Sequence, residues 1–311
     1  IGPILVTLTM LIPGAIFIES FMSFIGLGVM GEPICRNMLR KSGRDFLVSD
    51  LNEGPLQRLA SDGARRAPGI ATIADAADLL FLSLPGGKEV EAVCRAPDGL
   101  LAKARPGQII ADMSTAPVGL TRTLAEAFAA KGAIFCDAPV ARTRQAAIDG
   151  TLSIMVGADE ATYGTIRPLL EHAASEVTLC GPVGCGQIVK IMNNMVLFQT
   201  VVALAEALAI GGKAGIDEKV LLETMSKGSS DSFALRNHGM KAMLPRSFPD
   251  EAFPTDYALK DVSYALDLAR DVGVMAEGAQ LASDMLKRSS AAGNGRAYFP
   301  ALIRLLDAQG K

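Results

Sequence analysis

The run Ser23-Phe24-Ile25-Gly26-Leu27-Gly28-Val29-Met30-Gly31 decides how the first half of this 311-residue chain is read. A short apolar stretch passes directly into a G-x-G-x-x-G spacing. Ile34, Met38 and Leu39 then repeat at helix spacing until Gly43 stops the helix. Strand, glycine turn, helix is the context in which that spacing binds a dinucleotide. The first glycine makes the tight turn, the second lets a pyrophosphate approach the backbone, and the third lets helix and strand pack closely. Gly26, Leu27, Gly28, Val29, Met30 and Gly31 are therefore expected to cradle the phosphates at the helix N-terminus. Phe46-Leu47-Val48-Ser49 reads as the next strand and ends at Asp50. A carboxylate there can bind the adenine ribose hydroxyls and repel a 2′-phosphate, so the expected cofactor is NAD, with NADP less favoured. The competing reading, a glycine turn without a ligand, loses force because strand, helix and acid agree.

Outward from this unit the alternation continues. Residues 79–84 form a continuous apolar strand ending at Pro85, residues 108–112 another ending at Met113-Ser114-Thr115, and residues 133–137 a third. Helical stretches separate them, Val118 to Lys131 being the clearest. The expected result is a mainly parallel sheet with helices on both faces. Ligands bind beyond the carboxyl ends of such strands, so Pro85, Ser114 and Thr115 fall where the nicotinamide end should lie. Each of them also reads as an ordinary loop residue.

From about Gly184 helix periodicity dominates to the end, with Gln187 to Lys213 reading as one long apolar helix. Residues 217–225, 257–272, 277–290 and 300–309 follow as further helices. The expected fold is an α/β Rossmann-type N-terminal domain over residues 22–183. An all-α C-terminal domain over 184–311 follows, entered by a long interdomain helix and serving substrate binding and oligomerisation. So much apolar helix in one small domain points to a homodimer or homotetramer that buries part of it.

Lys190 lies on an early turn of that helix, and Asn193 and Asn194 follow on the same face. Ile188, Ile191, Met192, Met195 and Val196 make the surroundings apolar. A lysine desolvated near a helix N-terminus is pushed toward the neutral form that a general base needs. The alternative is a snorkelling lysine beside two solvated asparagines. Lys260, in Tyr257-Ala258-Leu259-Lys260-Asp261, reads by itself as a solvated helix residue.

Composition removes several competitors. Half the residues are hydrophobic and a fifth charged, with a net charge of −3 and scattered basic residues, which argues against a nucleic-acid partner. Five cysteines without a Cys-x-x-Cys pair read as reduced cytosolic thiols, so neither a disulfide frame nor a metal site is expected, and the chain reads as cytoplasmic. His172 and His238 are the only histidines, which leaves lysine as the leading group for proton chemistry. Residues 1–18 are uncharged and mostly apolar, but prolines, glycines and the absence of a basic flank weaken both membrane-span and signal-peptide readings. Residues 1–21 read as a non-native or misassigned extension, a membrane anchor being the minority alternative.

Six motifs together resemble the β-hydroxyacid dehydrogenase family, in its 3-hydroxyisobutyrate dehydrogenase-like form. They are Phe24-Ile-Gly-Leu-Gly-x-Met-Gly31, Asp112-x-Ser-Thr115, Asp137-Ala-Pro-Val140, Gly150-Thr-Leu-x-x-Met-Val-Gly157, Gly186-x-x-x-Lys190-x-x-Asn-Asn194 and Phe253-x6-Lys260-Asp261. The resemblance covers the chain from Met22 to the end. It implies an active site in the cleft between the two domains, with Lys190 as catalytic acid/base and Asn193 and Asn194 on the substrate. It further implies that Leu84, Pro85, Thr115 and Lys260 line the cofactor site, with Glu89 there by position. Ser114 is placed on the substrate side.

One departure bears on the substrate. Where the family commonly has Ser-Gly-Gly after Asp-Ala-Pro-Val, this chain has Ala141-Arg142-Thr143, which is similar to the sulfolactaldehyde reductase branch. A guanidinium fork and a threonine hydroxyl suit an anionic group on a small substrate, unless Arg142 pairs instead with a carboxylate such as Asp149. Tyr298 stands where the family often has an aspartate. The expected activity is reversible hydride transfer between NAD and a short 3-hydroxyacid or anionic aldehyde. Alternatives are a 3-hydroxyisobutyrate or tartronate semialdehyde-type dehydrogenase and a non-catalytic NAD sensor. A decarboxylating phosphogluconate-type enzyme fits less well, because the Ser-Gly-Gly loop is missing.

Overall fold

The structure, a computed structural model, describes residues 21–250 and 252–308. The extension read over residues 1–21 lies outside them except for Phe21, which opens the first strand.

The first half alternates short strands and helices. In chain order these are β1 (Phe21–Ile25), α1 (Gly31–Ser42), β2 (Phe46–Ser49), α2 (Glu53–Ser61), β3 (Arg65–Arg66), α3 (Ile70–Ala76), β4 (Ala77–Leu82), α4 (Gly87–Arg95), α5 (Leu100–Lys103), β5 (Ile109–Asp112), α6 (Val118–Ala129) and β6 (Ile134–Asp137). Their six strands are all parallel in the order β3-β2-β1-β4-β5-β6. That order reverses between β1 and β4, which opens a crevice at the carboxyl ends where these sheets take their ligands. The inner strands β1, β4, β5 and β6 are mostly apolar because helices cover both faces, whereas the edge strand β3 is Arg65-Arg66, both exposed. In β4, Leu79 and Phe81 enter one core with Phe24, Phe46 and Ile34, while Leu80 and Leu82 enter the other with Ile110, Leu124 and Phe135.

The glycines of the first turn carry the packing expected of them. Gly26 has φ +93°, and a Cβ there would overlap the Ser83 carbonyl. A Cβ on Gly31 would overlap the Gly26 carbonyl, whereas one on Gly28 would meet nothing within 4 Å. The first and third glycines thus close the turn, and the second leaves open space in front of it.

The chain then adds β7 (Val140–Ala141), α7 (Arg144–Asp149), β8 (Leu152–Gly157), α8 (Glu160–Leu170) and β9 (Ala174–Gly181). β8 runs antiparallel to β6 and β7, and β9 pairs with β8 in parallel. This extension of the sheet is absent from the strand pattern read above.

α9 (Cys185–Lys213) follows, roughly 43 Å long at 1.5 Å per residue, and then α10 (Glu218–Met225), α11 (Thr255–Asp271), α12 (Glu277–Ser289) and α13 (Arg304–Asp307). A π-helix over Leu235–Met243 lies between α10 and α11. The final helix expected over 300–309 is a 3-10 turn at Phe299–Ile303 followed by the short α13. Phe198 on α9 packs against Phe253 and Phe299 at the centre of this helical core. Tyr298 hydrogen-bonds the buried His238 ring there, so it fills the helical core. Burial pushes that imidazole down to about 4.

Gly31→Ala is expected to cost about 1–3 kcal/mol, because neither strand nor helix can yield without moving the sheet. Urea denaturation checks this, and an unchanged midpoint would remove the close-packing argument.

Candidate functional site

The loops after β4 and β5 and the end of β6 meet the N-terminal half of α9 and one face of α11. Val118, Ile188, Ile191, Met192, Met195, Tyr264, Ala265 and Leu268 form the apolar seam between them. Lys190 emerges from this seam. The residue retains partial exposure, yet desolvation pushes its ammonium below the usual lysine range. The Asp261 carboxylate opposes that shift and the charge of Lys260 reinforces it.

A chain of polar contacts leads from this helix to the other domain. Exposed Asn193 donates to Asn194 Oδ1 at 3.1 Å, and Asn194 Nδ2 donates to Asp261 Oδ2 at 2.7 Å. Asp261 Oδ1 has no well-directed hydrogen-bond donor but lies 2.9 Å from Lys260 Nζ. Lys260 Nζ donates to the Pro85 carbonyl at 2.8 Å, and the Gly87 amide donates to Tyr264 Oη at 3.2 Å. The helical domain thus touches the loop after β4 through two side chains of α11. Asn194 is buried with its amide engaged on both sides, so Asn193 is the more accessible of the pair.

The loop after β5 is tied in from both directions. Ser114 Oγ accepts the Leu84 amide at 2.9 Å, so its hydroxyl braces the β4 loop. Gln187 Nε2 donates to the Ser114 carbonyl at 2.8 Å, and Gln187 Oε1 accepts the Ala116 amide at 3.1 Å. Thr115 sits between these anchors, half-buried. Glu89 lies exposed on the first turn of α4.

Two buried acids underlie the site. Asp137 ends β6 and accepts the Gly184 amide at 2.6 Å and the Gln187 amide at 2.7 Å, capping α9 from another element. Gly157 and Gly186 allow this approach, since a Cβ on either would overlap its carboxylate. Burial pushes Asp137 up to about 6 despite those amides. Asp112 accepts the Ser114 amide on one oxygen, has no partner on the other, and is pushed up to about 7 by burial. Asp112, Asp137 and Asp261 entered the sequence reading only as motif positions without a role, and Gln187 only as part of the apolar helix. The available signal was an acid closing an apolar strand or following a motif lysine.

At the opposite end of the crevice Asp50 Oδ2 accepts the Leu27 amide at 2.5 Å and Oδ1 the Asn52 amide at 2.7 Å. The carboxylate is thus held beside the glycine turn with lone pairs to spare. With the open space before Gly28 and the first turn of α1 behind it, the residues present fit a dinucleotide.

Arg142 and Thr143 do not join this network. The Arg142 guanidinium donates to the Thr151 carbonyl at 2.5 Å and to Ser175 Oγ at 2.7 Å, while Asp149 accepts from Gln145 instead. Thr143 caps α7 by accepting the Ala146 amide at 3.3 Å. Arg142 has φ +87°, a left-handed conformation where the common pattern has glycine. A cavity of about 520 Å³ lined by Phe248, Asp256, Ser290, Arg296 and Arg304 lies apart, within the helical domain.

The family profile described as the NAD binding domain of 6-phosphogluconate dehydrogenase matches residues 22–181. The profile described as NAD-binding of NADP-dependent 3-hydroxyisobutyrate dehydrogenase matches residues 184–306. The chain is 34% identical to 2-(hydroxymethyl)glutarate dehydrogenase of Eubacterium barkeri, over 91% of this chain and 93% of that one. It is 31% identical to 2-hydroxy-3-oxopropionate reductase of Escherichia coli (strain K12), over 92% and 97%. The solved structure of 3-hydroxyisobutyrate dehydrogenase of Mycobacterium tuberculosis with L-serine superposes with a TM-score of 0.84 at 29% identity, covering 93% of this chain and 99% of that one.

Asp112 gives a pH prediction. Its folded value of about 7 lies above the ordinary 3.8, so the folded state holds this proton more tightly than the unfolded chain does. The contribution is fully present below the ordinary value and is lost as pH rises through about 7. Thermal midpoints taken from about pH 5 to 8 should fall more in the wild type than in Asp112→Asn. Parallel curves would contradict the assignment.

Proposed function

The chain belongs to the β-hydroxyacid dehydrogenase family and is an NAD-binding oxidoreductase acting on CH–OH groups, and we propose that Lys190 is its general acid/base. One observation carries this reading: the desolvated Lys190 stands where a polar chain, Asn194 to Asp261 to Lys260, runs to the Pro85 loop.

Bound NAD supplies or accepts a hydride at the nicotinamide C4. Gly26, Leu27, Gly28, Val29, Met30 and Gly31 hold the phosphates, Asp50 the adenine ribose, and Leu84, Pro85, Glu89, Thr115 and Lys260 line the nicotinamide side. Neutral Lys190 removes the hydroxyl proton in oxidation, and its ammonium returns a proton to the carbonyl oxygen in reduction. Burial, with the charge of Lys260, favours the neutral form that oxidation needs, and Asp261 favours the charged form that reduction needs. Asn193 orients the substrate, and Asn194 holds the face from behind. Ser114 bounds the substrate space while its hydroxyl fixes Leu84.

The substrate is read as a short 3-hydroxyacid or anionic aldehyde of the semialdehyde or sulfolactaldehyde type. Arg142 would leave its two neutral acceptors to hold the remote anion, beside Thr143. α9 has a mean hydropathy of 1.8 over its most apolar 18 residues, of which 33% are buried, and is long enough by composition to cross a membrane. Val196 and Ile210 are more than half exposed on it. We read this face as covered by a second copy of the chain in a cytoplasmic homo-oligomer.

Lys190→Ala should retain NADH binding and lose about 10²–10⁴-fold in turnover; near-wild-type rates would defeat the role. Arg142→Gly should raise KM for anionic aldehydes and spare uncharged ones, and equal effects on both would count against substrate contact. Sedimentation at micromolar concentration should show an assembly larger than the monomer, and a monomer would exclude it.

A further inference from the structure

Gln187 is fully buried on α9, three residues before Lys190 and on the same helix face. Its backbone amide is fixed by Asp137 and its side chain spans the loop after β5, donating to the Ser114 carbonyl and accepting from the Ala116 amide. Ser114 in turn accepts the Leu84 amide. One amide therefore joins the helix of Lys190 to both loops that border the nicotinamide side of the crevice. A buried amide placed only to fill space would leave its donor and acceptor without partners, at a cost of about 1–3 kcal/mol for each group. Here both are matched by backbone groups flanking Thr115. Only a side chain with a donor and an acceptor on one planar head can satisfy the pair.

We propose that Gln187 is a positioning residue that sets the separation between the Lys190 amine and the Leu84–Thr115 loops. This rests on the reading of Lys190 as the acid/base. It adds that the lysine's alignment is imposed from the nucleotide domain through this clamp, one helix turn away. Loss of the clamp leaves the phosphate cradle and Asp50 untouched, so dinucleotide affinity survives while the alignment needed for transfer does not. Misplacement by about 1 Å can lower turnover about 10²-fold.

Glutamate at this position is a diagnostic replacement. Ionised, it accepts from Ala116 but presents an oxygen to the Ser114 carbonyl. Protonated, it restores both bonds. The charged groups around it are Asp137 at its own amide, Asp112 at the Ser114 amide, Arg122 beside Gly184, and Lys190 one turn on. The two acids favour its protonated form, Arg122 and Lys190 the ionised one.

The test uses the full chain with NADH and four probes: succinic, methylmalonate and tartronate semialdehyde and sulfolactaldehyde. In Gln187→Ala, hydrogen exchange at the Ala116 amide should accelerate without cofactor, NADH affinity by fluorescence titration should stay close to wild type, and kcat should fall about 10²-fold. In Gln187→Glu, kcat relative to wild type should rise as pH is lowered. Wild-type kcat in Gln187→Ala with a freed Ala116 amide would overturn the proposal. If Gln187→Ala does not fold, Gln187→Glu decides, and a pH profile parallel to wild type overturns it. Lys190→Ala, run alongside, separates the two readings. Normal turnover in that variant removes the acid/base assignment, whereas an inactive Lys190→Ala beside an active Gln187→Ala removes only the clamp. Wild-type turnover of none of the four probes overturns both.

Discussion

The bond between the Asp137 carboxylate and the first turn of α9 holds the two halves of this protein in register. A helix N-terminus carries roughly half a positive charge, and an anion supplied from another element is its natural complement. Here the anion is the last residue of β6, the last of the six parallel strands of the first half, so the axis of α9 is fixed to the sheet's carboxyl edge. Burial and the amides pull on this acid in opposite directions, and burial prevails far enough to lift it toward neutrality. Gly157 and Gly186 are small because the carboxylate must come that close. Every later helix is reached through α9, so these two hydrogen bonds, with the Gln187 side chain and the apolar seam, place the helical core against the sheet.

The crevice is consequently built from two kinds of surface. On the nucleotide side, backbone amides and a glycine turn are presented by strands buried on both faces and cannot easily shift. On the helical side, Lys260 and Tyr264 reach across α11 and end on backbone atoms at Pro85 and Gly87. Contacts made by the tips of long side chains can be broken and remade with little cost to either core. The halves are held instead by the buried Gln187 side chain and the apolar seam around Ile191.

The nucleotide half was largely legible in the sequence because its signals are local. Gly26 to Gly31, the apolar run of β4 and the acid closing β2 each lie within a few residues, and each has one physical reading. β8 and β9 were not read as strands, since β9 is half-exposed and β8 runs opposite to its neighbours β6 and β7. The π-helix over Leu235–Met243 carries no periodicity that separates it from an α-helix. The face of Lys190 was visible from spacing, but Asn194 turned inward because Asp261, 67 residues away, accepts its amide. Asp137 was legible only as a motif position and Gln187 only as a helix residue for the same reason: partners distant in the chain give them their meaning. Arg142 was recognised as a departure, while its orientation toward Thr151 and Ser175 depends on β9, which the sequence did not reveal.

Arg142 also bears on how such a protein changes over generations. Its backbone keeps the left-handed shape that suits glycine, at a cost of order 1–2 kcal/mol for a side-chain-bearing residue. The loop's path is therefore imposed by β7 and the Thr143 cap on either side and does not follow the identity of the residue between them. Chemistry at this position can be exchanged while the trace stays fixed. Glycine would follow the same trace here without the left-handed cost, so an uncharged or a cationic residue can stand on one path. A scaffold arranged in this way can change its chemistry by exchanging a side chain on a fixed path, without rebuilding the path itself.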